Sequence, residues 1–170
     1  MIFMSQSGLT NTARENDWDH WYIDHLRIMV SVPGVDSAQR FKTSTRDYSP
    51  SLALYSMTSA EIFKDPYYQT IRGMGEWLQL IDRQYYRRNL FEGLDRAPAV
   101  GNGEVLLIAD RDRPEPGLAG IDWTWLKCAG IDHSTPYRGL AVVEAALAQR
   151  VPAESGVALY TPVTVCVRPR

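Results

Sequence analysis

The segment from Asp17 to Val32 constrains the fold most, because its largest side chains recur at helical spacing. At about 100° per residue, one face of such a helix is aromatic and apolar, while the opposite face is polar. The apolar face carries Trp18, Trp21, Tyr22, His25, Ile28, Met29 and Val32. The polar face carries Asp17, His20, Asp24, Arg27 and Ser31. Pro33 and Gly34 end the pattern, so we predict one amphipathic helix that buries its aromatic side.

Short apolar runs on both sides of this helix predict strands. "MIFMSQSG" precedes it, while "DSAQRFKTST" and "LALYSM" follow it, separated by a turn at "RDYSPS". Asp65 before Pro66 is typical of a helix start and predicts a second helix through "YYQTIRGMGEWLQ", which Gly73 and Gly75 weaken or break. "QYYRRNLFEG" then returns as a strand. The resulting order is β-α-β-β-α-β, the ferredoxin-like unit.

The second half of the chain resembles a degenerate repeat of the first. After a linker at "DRAPAVGNGE" and a strand at "VLLIAD", "VPGVDSAQRF" (32–41) recurs as "CAGIDHSTPYRG" (128–139), and "SLALYSMTS" (51–59) recurs as "GVALYTPVT" (156–164). The common order of the two matches indicates a duplication. Its register sets Ile121 and Leu118 where the first unit has His25 and Tyr22, so one unit carries the site.

We therefore predict an α+β protein of tandem ferredoxin-like β-α-β-β-α-β units that form a dimeric α/β-barrel-type architecture. Residues 1–95 form the unit that carries the site, and residues 96–170 form a degenerate second unit, both packed as one compact domain. Sheet against sheet is the packing that such units favour, because each exposes a bare sheet face.

Composition excludes several classes of function. A net charge of −2 gives no basic patch for nucleic acid or an anionic membrane, and we expect the Arg87-Arg88 pair on the solvated surface. No apolar run is long enough to span a membrane and no signal peptide is recognisable, so a cytoplasmic protein is expected. Cys128 and Cys166 lack the spacing of a zinc site or disulfide framework. Nucleotide-binding, zinc-protease and nucleophile-elbow motifs are missing, and we expect neither a cofactor nor a metal.

His25 is the candidate for chemistry because it falls inside the aromatic stripe, whereas His20 falls on the polar face. A buried imidazole needs a hydrogen-bond partner, and burial lowers its pKa, which leaves it neutral and able to accept a proton. Two interpretations follow. His25 is either a general base in an aromatic-walled cleft or a core histidine bonded to a backbone carbonyl.

A set of short motifs resembles the EthD-like branch of the dimeric α/β-barrel proteins. They are Trp18-x-x-Trp21-Tyr22, "DH" at 24–25, "VPG" at 32–34, Arg40-Phe41 and "LALY" at 52–55. The resemblance covers residues 1–95 well, although Arg27 stands where the family often has proline. It implies a homodimer with a site in a cleft between helices and the concave sheet. Members of the superfamily include cofactor-free monooxygenases, polyketide cyclases, isomerases, lyases and haem-using enzymes.

The expected function is a cofactor-independent lyase, isomerase or cyclase that acts on a small aromatic or polyketide-like metabolite. In this hypothesis His25 is the general acid or base, Tyr22 orients the substrate or donates a proton, and Arg40 stabilises developing negative charge. The side chains expected to bind substrate are Trp18, Trp21, Met29, Tyr55, Trp77 and Tyr85, with Tyr86 as a further candidate. The alternatives are a cofactor-free monooxygenase, a non-catalytic small-ligand binding protein, and haem binding through His25.

Overall fold

A computed structural model describes residues 1–115 and 120–170 of the chain. In these two stretches the backbone forms eight strands and three α-helices. The strands are β1 (Ile2–Ser7), β2 (Val35–Lys42), β3 (Ser51–Met57), β4 (Arg87–Glu92), β5 (Glu104–Arg111), β6 (Thr124–Ile131), β7 (Tyr137–Glu144) and β8 (Val157–Pro162). The α-helices are α1 (Glu15–Met29), α2 (Pro66–Ile71) and α3 (Ala145–Ala148). None of these helices has the length and apolar character needed to cross a membrane.

The strands close into one antiparallel barrel in the order β1-β3-β2-β8-β5-β7-β6-β4, with β4 returning to β1. The prediction of tandem ferredoxin-like α/β units is therefore wrong. The prediction fails because the described residues form too little α-helix for two such units. The second predicted helix ends at Ile71, before Gly73 and Gly75, and continues only as a 3₁₀ segment. In the described part of the second half, the one α-helix is the four-residue α3.

The proposed sequence repeat also fails at the level of strands. The first four strands run in the order β4-β1-β3-β2, and the last four run β8-β5-β7-β6, which is the same relative order. In this shared order, β7 takes the position in the second half that β3 takes in the first half, although the two strands are not neighbours in the sheet. The sequence repeat instead aligned β3 with β8, so it matched the wrong strands. Ile121 lies in a loop rather than a helix, and Leu118 lies outside the described residues.

Local sequence signals give most individual elements correctly. The predicted strands β1, β2, β3, β4 and β5 and the helix α1 are all present. The Asp65 side chain caps α2 by accepting a hydrogen bond from the Tyr68 backbone N–H at 2.9 Å. The predicted apolar face of α1 needs one correction, because Leu26 is buried while Ile28 is 44% exposed and both Trp21 and His25 are only half-buried.

Burial on both sides distinguishes the first half of the barrel. Every residue of β1 and of β3 is buried. Alternate side chains fill the barrel interior, among them Ile2, Met4, Leu52, Leu54 and Phe91. The other side chains point outward and pack under α1 and α2, among them Phe3, Ala53, Tyr55 and Leu90. The two-residue period of the strands thus builds two separate apolar layers.

A buried arginine forms an ion pair between the neighbouring strands β5 and β7. The guanidinium group of Arg138 donates to both carboxylate oxygens of Asp110, at 2.6 and 2.8 Å, and to Oε1 of Gln6 at 2.8 Å. Arg138 is 1% exposed. A bidentate pair of this kind fixes the orientation of both side chains and ties β5 and β7 to β1.

Replacing Arg138→Met should lower the free energy of unfolding by about 3 kcal/mol, because Asp110 and Gln6 lose their partner inside the barrel. Urea denaturation monitored by circular dichroism measures this change. Arg113→Met, at an exposed position, is the control and should change stability little. A loss below about 1 kcal/mol for Arg138→Met would contradict the structural role assigned to this pair.

Candidate functional site

A pocket of about 240 Å³ lies between α1 and the outer face of the barrel. Strands β1, β3 and β4 form its floor, α1 forms one wall, and α2 with the segment that follows it forms another. The resemblance implied a cleft between the helices and the concave side of a sheet, and the pocket does lie between helices and strands. The structure has the pocket on the outer side instead, because the helices pack there and side chains fill the barrel interior.

Small side chains on the floor explain why space remains under α1. Ser5 points outward from β1, where its register partners are Ala53 on β3 and Arg88 on β4. Larger outward residues on the same strands, such as Phe3 and Tyr55, stack with ring centroids 5.5 Å apart and border the gap. Ser5 is a short side chain that lines the pocket, and the space lies above it.

His25 projects from α1 onto the wall of this pocket. Its ring stacks on Trp21 at 4.5 Å and meets the edge of the Tyr22 ring at 5.7 Å. No hydrogen bond to the imidazole is found within residues 1–115 and 120–170. The core-histidine interpretation required a carbonyl partner and has none here. Desolvation by burial lowers the His25 pKa from 6.5 to about 4, so the ring is neutral at pH 7.

Four tyrosines surround the same space, namely Tyr22, Tyr55, Tyr68 and Tyr86. Burial raises the pKa of the first three, with the charge of Arg40 opposing the shift at Tyr22 and Tyr55. These hydroxyls are therefore protonated at neutral pH and can donate hydrogen bonds. The Tyr22 hydroxyl lies 4.0 Å from the sulfur of Met74, another lining residue.

Arg40 lies behind this wall, and its predicted contact with substrate is not supported. Its guanidinium group donates to Asp19 at 2.7 Å and to Ser51 at 3.1 Å. The guanidinium carbon lies 4.5 Å from the Trp18 ring centroid and 4.1 Å from that of Tyr22. Arg40 is fully buried, so it fixes α1 and the Tyr22 ring from behind, and the sequence pattern alone could not distinguish this from a substrate contact.

The remaining predicted residues divide into lining and supporting side chains. Met29 and Tyr55 line the pocket. Trp18 packs edge-on against Tyr22, and Trp21 supports His25. Trp77 contacts Trp21 and the guanidinium group of Arg14. Tyr85 is not part of the pocket lining, and its backbone carbonyl accepts a hydrogen bond from the Ser49 hydroxyl. Its neighbour Tyr86 lines the pocket instead.

Sequence reasoning missed the basic residues of the site. Arg72 and Arg88 both line the pocket, together with Phe3, Ser5, Tyr68, Gly73 and Met74. The Arg87-Arg88 pair was expected on solvated surface, but Arg88 is half-buried. Strand alternation was the available signal, since it sends neighbouring residues to opposite faces. Among the described residues, the lining contains no Asp or Glu. The described part of the chain also contains no group of three or more His, Cys, Asp or Glu side chains placed to bind a metal ion.

Comparisons of the chain with protein-family models, curated proteins and solved structures find no match. The resemblance to EthD-like proteins, the homodimer and the reaction class therefore stay predictions.

Protonation of His25 should cost stability in acid. Its folded pKa is about 4, below the ordinary 6.5, so the unfolded chain binds the proton more tightly. The free energy of unfolding should therefore fall as pH drops from about 6.5 to about 4, by about 2–3 kcal/mol from this group. NMR titration of the imidazole carbon-bound protons measures the pKa directly, and His25→Gln should remove this component of the acid sensitivity. A His25 titration at pH 6 or above would contradict the assigned environment.

Proposed function

We propose that the protein is a cofactor-independent enzyme that transfers a proton within a small aromatic or polyketide-like metabolite. The observation that carries the proposal is the unpartnered imidazole of His25 on the wall of the pocket. A neutral histidine with a free ring nitrogen can accept a proton from a bound molecule. An isomerase, lyase or cyclase reaction follows from this capacity.

The pocket dimensions favour a ligand with one or two rings. Its volume of about 240 Å³ exceeds that of an engineered cavity of about 150 Å³ that accommodates benzene. It lies just below the range of about 300–1,000 Å³ typical of drug-sized ligands. Aromatic side chains border the space on several sides, which suits a flat ring system.

The chemical step needs only groups in this pocket. A ring nitrogen of His25 removes a proton from carbon next to a substrate carbonyl. The electron pair of the broken C–H bond forms a carbon–carbon double bond, and the carbonyl pair moves onto oxygen. A protonated tyrosine hydroxyl, from Tyr22, Tyr55 or Tyr68, donates a hydrogen bond to that oxygen. The imidazolium then returns the proton at another position, which burial of its charge favours.

Deuterium exchange tests this proposal without knowledge of the natural substrate. The probes are 2-indanone and phenylpyruvate, a neutral and an anionic ring compound with enolisable C–H bonds, followed by proton NMR in D₂O. Wild-type protein should exchange at least one probe about 100-fold faster than His25→Ala does, because a positioned base contributes about this factor. His25→Gln should lose exchange in the same way while still binding the ring.

His20→Ala is the matched control, since His20 lies on the exposed face of the same helix. This variant should exchange the probes at the wild-type rate. Equal exchange by wild type and His25→Ala would contradict proton transfer at His25. Binding of the ring compounds without exchange by wild type would indicate the non-catalytic ligand-binding alternative.

A further inference from the structure

We infer that the ligand of the pocket is a single-ring aromatic carboxylate and that Arg88 binds its carboxylate group, with Arg72 as a second contact. This inference rests on the proposed function, because it names the substrate class of the same pocket. It starts from two guanidinium groups that face one small cavity and have no carboxylate within 4.0 Å among the described residues.

Arg88 is built into the floor of the pocket. It projects outward from β4 beside Ser5, and its guanidinium carbon lies 5.6 Å from the Tyr86 ring centroid. Its Nε atom is buried and has no hydrogen-bond partner. The nearby Asp132 accepts a hydrogen bond from the backbone N–H of Arg88 at 2.6 Å. Within the described part of the chain the Arg88 side chain forms no ion pair. Arg88 itself borders the pocket, so the terminal N–H groups of its guanidinium group are the donors available to an acceptor bound there.

Arg72 supplies a second positive charge at the outer side of the pocket. It follows α2 in an extended conformation, with its backbone N–H bound to the Tyr68 carbonyl. Gly73 and Met74, next in the chain, also line the pocket. Arg72 is exposed, so it can reach an anion at the opening without a cost of burial.

The two fully buried arginines of the described residues give the contrast to Arg88, which is half-buried. Arg40 is paired with Asp19 at 2.7 Å, and Arg138 is paired with Asp110 at 2.6 Å. This chain therefore supplies an aspartate where a guanidinium group is buried for structure. Among the described residues the pocket lining contains no such aspartate, so its positive charge is available to a ligand.

The chemistry of the pocket favours carboxylate as the anion. A guanidinium group matches the planar geometry of a carboxylate through two parallel hydrogen bonds. Phosphate sites commonly use the N-terminus of a helix or a glycine-rich loop. Gly73 borders the pocket and Gly75 lies close by, but the segment that begins at Gly75 is a short 3₁₀ turn, and the N-terminus of α2 is already capped by Asp65. The pocket volume and aromatic border then limit the remainder of the ligand to about one ring.

Binding of benzoate and benzamide, two probes of nearly equal shape, tests the inference by isothermal titration calorimetry at pH 7. Wild-type protein should bind benzoate at least about tenfold more tightly than benzamide. Arg88→Gln should remove that preference, and Arg88→Lys should retain part of it through charge alone. Arg87→Gln is the matched control, because Arg87 is the exposed neighbour of Arg88 on the same strand. This variant should keep the full preference for benzoate over benzamide.

Each other outcome overturns a defined claim. Equal binding of the two probes by wild type, or binding of neither, would refute the carboxylate assignment. A preference that survives both Arg88 variants would refute the role of Arg88. The exchange assay with neutral 2-indanone separates this inference from the proposed function. Exchange without a preference for benzoate would refute the carboxylate assignment and leave proton transfer standing. A preference for benzoate without exchange would refute proton transfer and leave the carboxylate assignment standing.

Discussion

The contact on which the site depends is the stack of Arg40 beneath helix α1. Its guanidinium group lies against the faces of Trp18 and Tyr22 and binds Asp19 of the same helix, while its backbone belongs to β2. Cation–π contacts and an ion pair act together here, so the helix cannot rotate without breaking both. The direction in which His25 points follows from this anchor, because the imidazole is one turn further along the same helix.

Closure of the barrel supplies the second requirement. A closed sheet buries its inner face by itself, and the outer face of β1 and β3 is then available for a helical layer. Outward residues of unequal size keep that layer from packing completely, since the short Ser5 leaves room that the rings of Phe3 and Tyr55 border. Burial beside the resulting pocket lowers the pKa of His25 and keeps the ring neutral. Two arginines and four tyrosines line the same space. The side chains of the proposed proton transfer and of the proposed carboxylate contact therefore belong to the same layer.

Local patterns were sufficient to predict α1 and most strands, because helical and strand periods span only a few consecutive residues. His25 lies beside a pocket, and its part in a reaction stays a prediction. Local patterns could not predict the barrel. Its closure joins Phe41 to Pro162 and Asn89 to Ile131, pairs that are far apart in the chain. They also misassigned Arg40 and Arg88, because an arginine on a strand has the same local signature whether it binds an aspartate, water or a ligand. The helical face was misjudged at Leu26 and Ile28. The buried residues of α1 are Trp18, Tyr22, Leu26 and Met29, so the buried face is displaced from the predicted one toward Leu26.

A crystal structure with 4-bromobenzoate bound tests the central claim most directly, because bromine can be located by its anomalous scattering. The account predicts one bromine position inside the pocket under α1, with the ring between His25 and Tyr55 and the carboxylate within hydrogen-bonding distance of Arg88. Bromine found only elsewhere on the protein, with the space next to His25 closed by neighbouring side chains, would contradict it.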